Sequence, residues 1–156
     1  MNKTSICFLL VFFLHFGCTN YTSTPSFQAP PTLISATNHG NSNFTLSVRA
    51  QNPEIIFQGY RLFVGNSEEE ARNPINVNLG AGDCALVLGA VVQPIDYLFE
   101  IDPSENTANP AAVCRFFATV SPGQFVSLRS LGLAINLQNN SSQFRVSGPS
   151  NAIPLP

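Results

Sequence analysis

Phe125-Val126-Ser127-Leu128-Arg129-Ser130-Leu131-Gly132-Leu133, entered through Ser121-Pro122-Gly123, is the stretch that decides the fold. Pro122 fixes φ and Gly123 tolerates positive φ, so the tripeptide ends one extended run and begins the next. Val113 to Val120 before it reads as a strand, and the alternating run after it reads as another. Working back to Thr32, apolar residues come in short runs punctuated by Gly, Pro, Asn and Ser, and no long stretch repeats with a helical period. The class is all-β.

Earlier strands follow the same logic. Thr32 to Thr37 reads as a first strand, and Asn38-His39-Gly40-Asn41-Ser42 as the turn after it. Phe44, Leu46 and Val48 alternate with Thr45, Ser47 and Arg49, which predicts one buried face and one wet face. Asn52-Pro53 breaks that strand, and Ile55 to Val64 resumes the pattern with Arg61 expected to face solvent. Gly65-Asn66-Ser67-Glu68-Glu69-Glu70 reads as an acidic, solvated turn running into one short helical turn before Pro74, without the alternating ligands of a calcium loop.

Residues 75–113 are harder to read. Ile75, Val77 and Leu79 alternate, Gly80-Ala81-Gly82-Asp83 turns the chain, and Cys84 to Val92 fits either a buried strand or an apolar loop. Tyr97, Phe99 and Ile101 face one way and Leu98, Glu100 and Asp102 the other, a further strand stopped by Pro103. Glu100 and Asp102 share a strand face, where a carboxylate pair for acid and base work competes with the favoured reading of a solvated face.

At the other end of the chain, Lys3 supplies a positive n-region and Ile6 to Leu14 an apolar run. That run is shorter than the roughly 18 apolar residues of a membrane span. Cleavage after Cys18 would place bulky Phe16 where a small residue is preferred. Gly17-Cys18 instead resembles the core of the bacterial lipobox, and Leu14, lying four before the cysteine, resembles the looser form of spirochaetal lipoproteins. That resemblance implies removal of residues 1–17 and acylation of Cys18, with palmitate among the expected acyl groups; the alternative is a chance cysteine beside an ordinary cleavage site. Each buried methylene contributes roughly 0.8 kcal/mol, so two or three chains hold firmly where one does not. Residues 18–31 then form the lipidated cysteine and a flexible tether, rich in Thr, Ser, Asn and Pro, that spans at most roughly 40 Å. Phe27 is the residue in it expected to pack on the domain.

The remaining length suits one domain. Its cations are all arginine (Arg49, Arg61, Arg72, Arg115, Arg129 and Arg145) and its acids outnumber them, with no basic cluster. This argues against nucleic acid and against electrostatic capture of anionic lipid. Besides Cys18, only Cys84 and Cys114 remain, and an even pair in an exported chain is expected to form a disulfide.

The Pro-Gly turn leading into Phe125 and an alternating strand resembles the fibronectin type III pattern. Gln143 to Ser147 followed by Gly148-Pro149-Ser150-Asn151 is similar to the last strand of that family and its Ser-rich bulge, and residues 44–64 fit its second and third strands with Tyr60 as a core aromatic. The resemblance implies an immunoglobulin-like, fibronectin type III-like β-sandwich over residues 32–156. The chain departs from the pattern in three places. It contains no tryptophan, Phe125 stands where the corner tyrosine is expected, and residues 75–113 are long for the family. That length reads as an insertion stapled at its base by Cys84 and Cys114, or as regular core strands of a different sandwich topology.

His39 lies in an Asn-rich turn without a second histidine after processing, no Gly-x-Ser-x-Gly elbow occurs, and no metal-ligand spacing is present. No catalytic residue, metal or cofactor is therefore expected. The expectation is a lipid-anchored protein of the cell envelope, at the outer membrane with its face open, acting as a non-catalytic binding or adhesion module toward a protein or glycan partner. The segment Asp83 to Cys114 is its candidate surface, and a structural or assembly subunit of an envelope complex is the alternative. Sequons at Asn20, Asn43, Asn139 and Asn140 would matter only in a eukaryotic secreted protein. Radiolabelled palmitate fed to expressing cells is expected to enter the protein and to be lost in Cys18→Ala; label that survives the substitution refutes acylation at this residue.

Overall fold

The alternation of Phe44, Leu46 and Val48 becomes β2 (Asn43–Ala50), with all three side chains fully buried. The computed structural model describes residues 30–86, 90–104, 109–136 and 140–156. Residues 1–17, Cys18, Phe27 and the tether up to residue 29 lie outside them, as do Asn20 and Asn139. β1 (Thr32–Gly40), β2, β5 (Ile95–Ile101) and β6 (Ala112–Phe116) form one sheet in that order. β4 (Gly82–Ala85), β3 (Phe57–Gly65), β7 (Phe125–Asn136) and β8 (Ser141–Val146) form the second, in which β9 (Ile153–Pro154) also pairs with β7. Short helix α1 (Glu68–Arg72) packs against β3 and β7. The two sheets pack as an immunoglobulin-like, fibronectin type III-like β-sandwich.

Several expectations are corrected by the pairing. β1 runs through the whole Asn38-His39-Gly40 segment, so the turn shrinks to Asn41-Ser42, both at positive φ (53° and 60°). A two-residue hairpin needs that conformation to follow the strand twist. The alternation at Ile75, Val77 and Leu79 forms no strand; Ile75 and Leu79 are exposed in a loop. The apolar run from Cys84 leaves the sheet after Ala85, with Val91 buried and Val92 exposed, and residues 87–89 lie outside the description. The strand expected over Val113 to Val120 spans only Ala112–Phe116, although Ala118 and Val120 remain buried.

Residues 75–113 contain β4, β5 and the start of β6, and the rest of their length connects these strands. β5 pairs with β2 along its entire length, from Ala50↔Ile95 to Phe44↔Ile101. The surplus lies in the connection from β4 to β5 and in a crossover after β5, which brings β6 back parallel to β5. A parallel neighbour requires the chain to return to the other end of the sheet before pairing, and this explains the extra residues.

An aromatic row joins the two sheets. Tyr60 of β3 packs on Phe57 at 5.1 Å and on Phe99 of β5 at 5.0 Å between ring centroids, and Phe99 meets Phe116 of β6 at 6.3 Å. Tyr60 fills a central core position in a chain without tryptophan, and its hydroxyl donates to Asn52 Oδ1 at 2.7 Å. Burial, reinforced by the charge of Glu54 and the neighbouring Tyr97, pushes its phenol well above the usual range, so it remains the donor. At Gly59, where β3 bulges with φ 148°, an added Cβ would lie 1.9 Å from the Cys84 carbonyl oxygen; only glycine lets β4 approach there.

Each open side of the sandwich is closed. On one side, edge strands β4 and β6 are joined by the Cys84–Cys114 disulfide, with a Cα–Cα distance of 5.6 Å. The bridge thus ties sheet to sheet and does not close the base of an insertion. On the other, Asn151 mimics a strand partner: its Oδ1 accepts the Leu33 N–H and its Nδ2 donates to the Leu33 carbonyl, both at 2.8 Å.

The last strand is interrupted between β8 and β9, and serines maintain its bonding. The N–H of Ser130 donates to Ser147 Oγ and that of Leu128 to Ser150 Oγ, each at 2.9 Å. Ser147 and Ser150 in turn donate backbone N–H groups to Ser130 and Leu128 carbonyls. Because an orphaned buried N–H costs about 1 to 3 kcal/mol, Ser147→Ala and Ser150→Ala are each expected to lower unfolding free energy by that amount in urea titration, with no change in m-value.

Candidate functional site

The face expected to be solvated carries the most concentrated charge. Glu100 and Asp102, 4% and 2% exposed, lie at the end of β5 and receive Arg115 from β6. Arg115 Nη2 donates to Asp102 Oδ2 at 2.7 Å and to the Ser104 carbonyl, while its Nε sits 3.4 Å from Glu100 Oε2. That Nε–H makes no hydrogen bond, so the Glu100 contact is Coulombic. The Ser104 N–H and Oγ–H both donate to Asp102 Oδ1 at 2.8 Å, and the Asn109 N–H donates to Glu100 Oε2 at 3.2 Å. Asn43 Nδ2 reaches Glu100 Oε1 at 3.5 Å, and the Arg115 guanidinium lies over the Phe117 ring at 5.1 Å.

The cluster therefore corrects the solvated-face expectation, because Ser104, Asn109 and Arg115 lie against the two carboxylates and keep water from them. It also differs from an acid–base pair. Both carboxylates are already bound by a cation and by main-chain or hydroxyl donors, so their oxygens are occupied. What the arrangement does is anchor the crossover that permits the parallel β5–β6 pairing. The sequence signal is Arg115 itself, an arginine within the apolar run Val113-Cys114-Arg115-Phe116-Phe117.

A second covered face was equally hidden. Arg61, expected in solvent, has only 11% of its side chain exposed, because the 77–83 segment crosses it. It binds Asp83 bidentately at 2.6 Å for each contact and donates to the Asn78 carbonyl at 2.9 Å, and the Asp83 hydrogen bond raises its already high pKa. Arg129 on β7 is buried under α1, where Nη2 donates to the Arg72 carbonyl at 2.8 Å and Nη1 to the Ser147 carbonyl at 2.9 Å. Desolvation lowers its pKa, and its Nε is buried without a hydrogen bond. The helix that covers it starts with a Ser67 cap accepting the Glu70 N–H, while Glu70 accepts the Asn66 N–H. Glu68 pairs with Arg72 and Glu69 accepts from Asn73, so the three glutamates serve the helix.

His39 is exposed on strand β1 and not in the expected turn, and its Nε2 lies 3.0 Å from Thr45 Oγ1. Among the described residues, no group of three or more His, Cys, Asp or Glu is placed to hold a metal ion. Of the candidate surface from Asp83 to Cys114, Val92, Ile95, Leu98 and Val113 are solvent-exposed.

No protein-family model matches the chain, and no curated protein and no solved structure matches it significantly. Arg115→Met leaves two buried carboxylates without their cation and is expected to destabilise the fold by about 3 to 5 kcal/mol. The triple variant Arg115→Met/Glu100→Gln/Asp102→Asn is expected to recover most of that loss in chemical unfolding, since it removes the charges that lack a partner.

Proposed function

We propose that the chain is a lipid-anchored envelope protein whose β-sandwich acts as a non-catalytic binding or adhesion module. The carrying observation is Gly17-Cys18 two residues beyond the short apolar run Ile6 to Leu14, the arrangement that resembles a lipobox. Residues 1–17 are the export signal, acylated Cys18 the anchor, and the segment to residue 31 the tether. The described residues contain no helix long and apolar enough to cross a membrane, a statement that leaves strand-built spans aside. The non-catalytic reading draws support from the site chemistry: Glu100 and Asp102 are both engaged by Arg115, and Ser127, Ser130, Ser147 and Ser150 all make structural hydrogen bonds. A rigid frame carrying loops suits recognition of a protein or glycan surface.

Mass spectrometry of the mature protein is expected to find residue 18 as its N-terminus with the mass of attached acyl chains; an unmodified N-terminus elsewhere overturns the anchor. Digestion of the sandwich by protease added to intact cells then assigns it to the outer surface, whereas full protection assigns it to the inner side.

A further inference from the structure

One end of the sandwich is ringed by apolar side chains, and it is the end at which residue 32 enters. Thr32 starts β1 opposite Arg49, and the neighbouring Ala50 pairs with Ile95, so the entry of β1, the exit of β2 and the start of β5 lie together. The 51–56 turn continues this end. Its Asn52 N–H donates to the Val91 carbonyl, and the Ile56 carbonyl accepts the Leu133 N–H, both at 2.9 Å. Beyond Leu133 the β7–β8 hairpin extends past the start of β3, which pairs with β7 no further than Gly132. Ile55, Val92, Ile95, Ile135 and Phe144 are exposed on these segments, Ile55 at 89% and Phe144 at 65%. Leu133 pairs with Phe144, so Ile135, two residues along β7, shares the Phe144 face of the hairpin.

We infer that this rim rests on the lipid bilayer and inserts its apolar side chains into the headgroup boundary. The inference builds on the lipid-anchor reading, because the chain enters β1 at the rim end and a tether of at most roughly 40 Å keeps the rim at high effective concentration near the membrane. A planar partner also fits the distribution: the apolar groups come from separate turns and from a hairpin, and a surface touches them all together. At this end Arg49 is paired with Asp96 at 2.7 Å, and Glu54 accepts a hydrogen bond from Asn52 at 3.1 Å. The exposed Arg145, next to Phe144, is available to lipid phosphate. Insertion of this kind draws on buried apolar area, so it needs no basic patch. Contact through the rim would stand the sandwich on its 51–56 end and hold the opposite end, with the Asn41-Ser42 turn, farthest from the membrane.

The absence of tryptophan makes the test direct. Phe144→Trp, Ile55→Trp and, at the far end, Phe117→Trp each introduce a single exposed reporter. The mature chain from residue 18 is held on phosphatidylcholine vesicles through an N-terminal hexahistidine and a nickel-chelating lipid, so the outcome is independent of acylation, which the mass measurement tests separately. With brominated acyl chains, the reporters at 144 and 55 are expected to be quenched several-fold more than the one at 117, and their emission to shift to the blue. Equal quenching at all three positions, or none at any, overturns the inference. Emission that is already shifted without vesicles and depends on protein concentration also overturns it, and assigns the rim to a second copy of the chain.

Discussion

A phenol in a dry core must find an acceptor, and the rest of this sandwich is arranged around the one that Tyr60 finds. Asn52 supplies it from the turn between β2 and β3, and Ser130 of β7 donates to the same oxygen at 3.3 Å. One amide oxygen therefore fixes a turn against two strands of the second sheet. From Tyr60 the row of rings continues through Phe99 to Phe116, so the same residue that sets the polar centre also sets the spacing between sheets. Tyrosine in this place brings the demand for a partner that a wholly apolar ring would not, and the buried hydrogen bond makes the turn geometry part of the core.

With the centre fixed, the remaining physical problem is the sandwich margins. Two unlike devices solve it: a covalent bridge between β4 and β6, and a side-chain amide of Asn151 that imitates a neighbouring strand for Leu33. The interrupted last strand uses the same substitution of side chain for backbone at Ser147 and Ser150. In each case an exposed edge or a broken ladder would leave polar groups without partners, and a local side chain meets the need.

Burial of charge follows from what lies over the sheets. Ser104, Asn109 and Arg115 cover Glu100 and Asp102, α1 covers Arg129, and the 77–83 segment covers Arg61. None of these covers is legible from strand alternation, which distinguishes the two faces of a strand but treats the outer one as wet. The alternation of Tyr97, Phe99 and Ile101 against Leu98, Glu100 and Asp102 is realised in full for the inner face. The outer face was misread because a later segment returns over it. Arg115, isolated in an apolar run, carried the only local hint.

The sequence by itself determined the all-β class, the inner faces of β2 and β5, the short helix before Pro74, and the partners of the disulfide, Cys84 and Cys114. These depend on residue period, turn chemistry and cysteine count, which act over a few neighbours or need no geometry. Tertiary structure alone decided that β6 runs parallel to β5, that the disulfide joins one sheet to the other, and that β5 pairs with β2. It also decided which charged residues lost contact with water. Those outcomes depend on which segments meet across the fold, and contacts between residues far apart in the chain leave no periodic trace in the sequence around either partner.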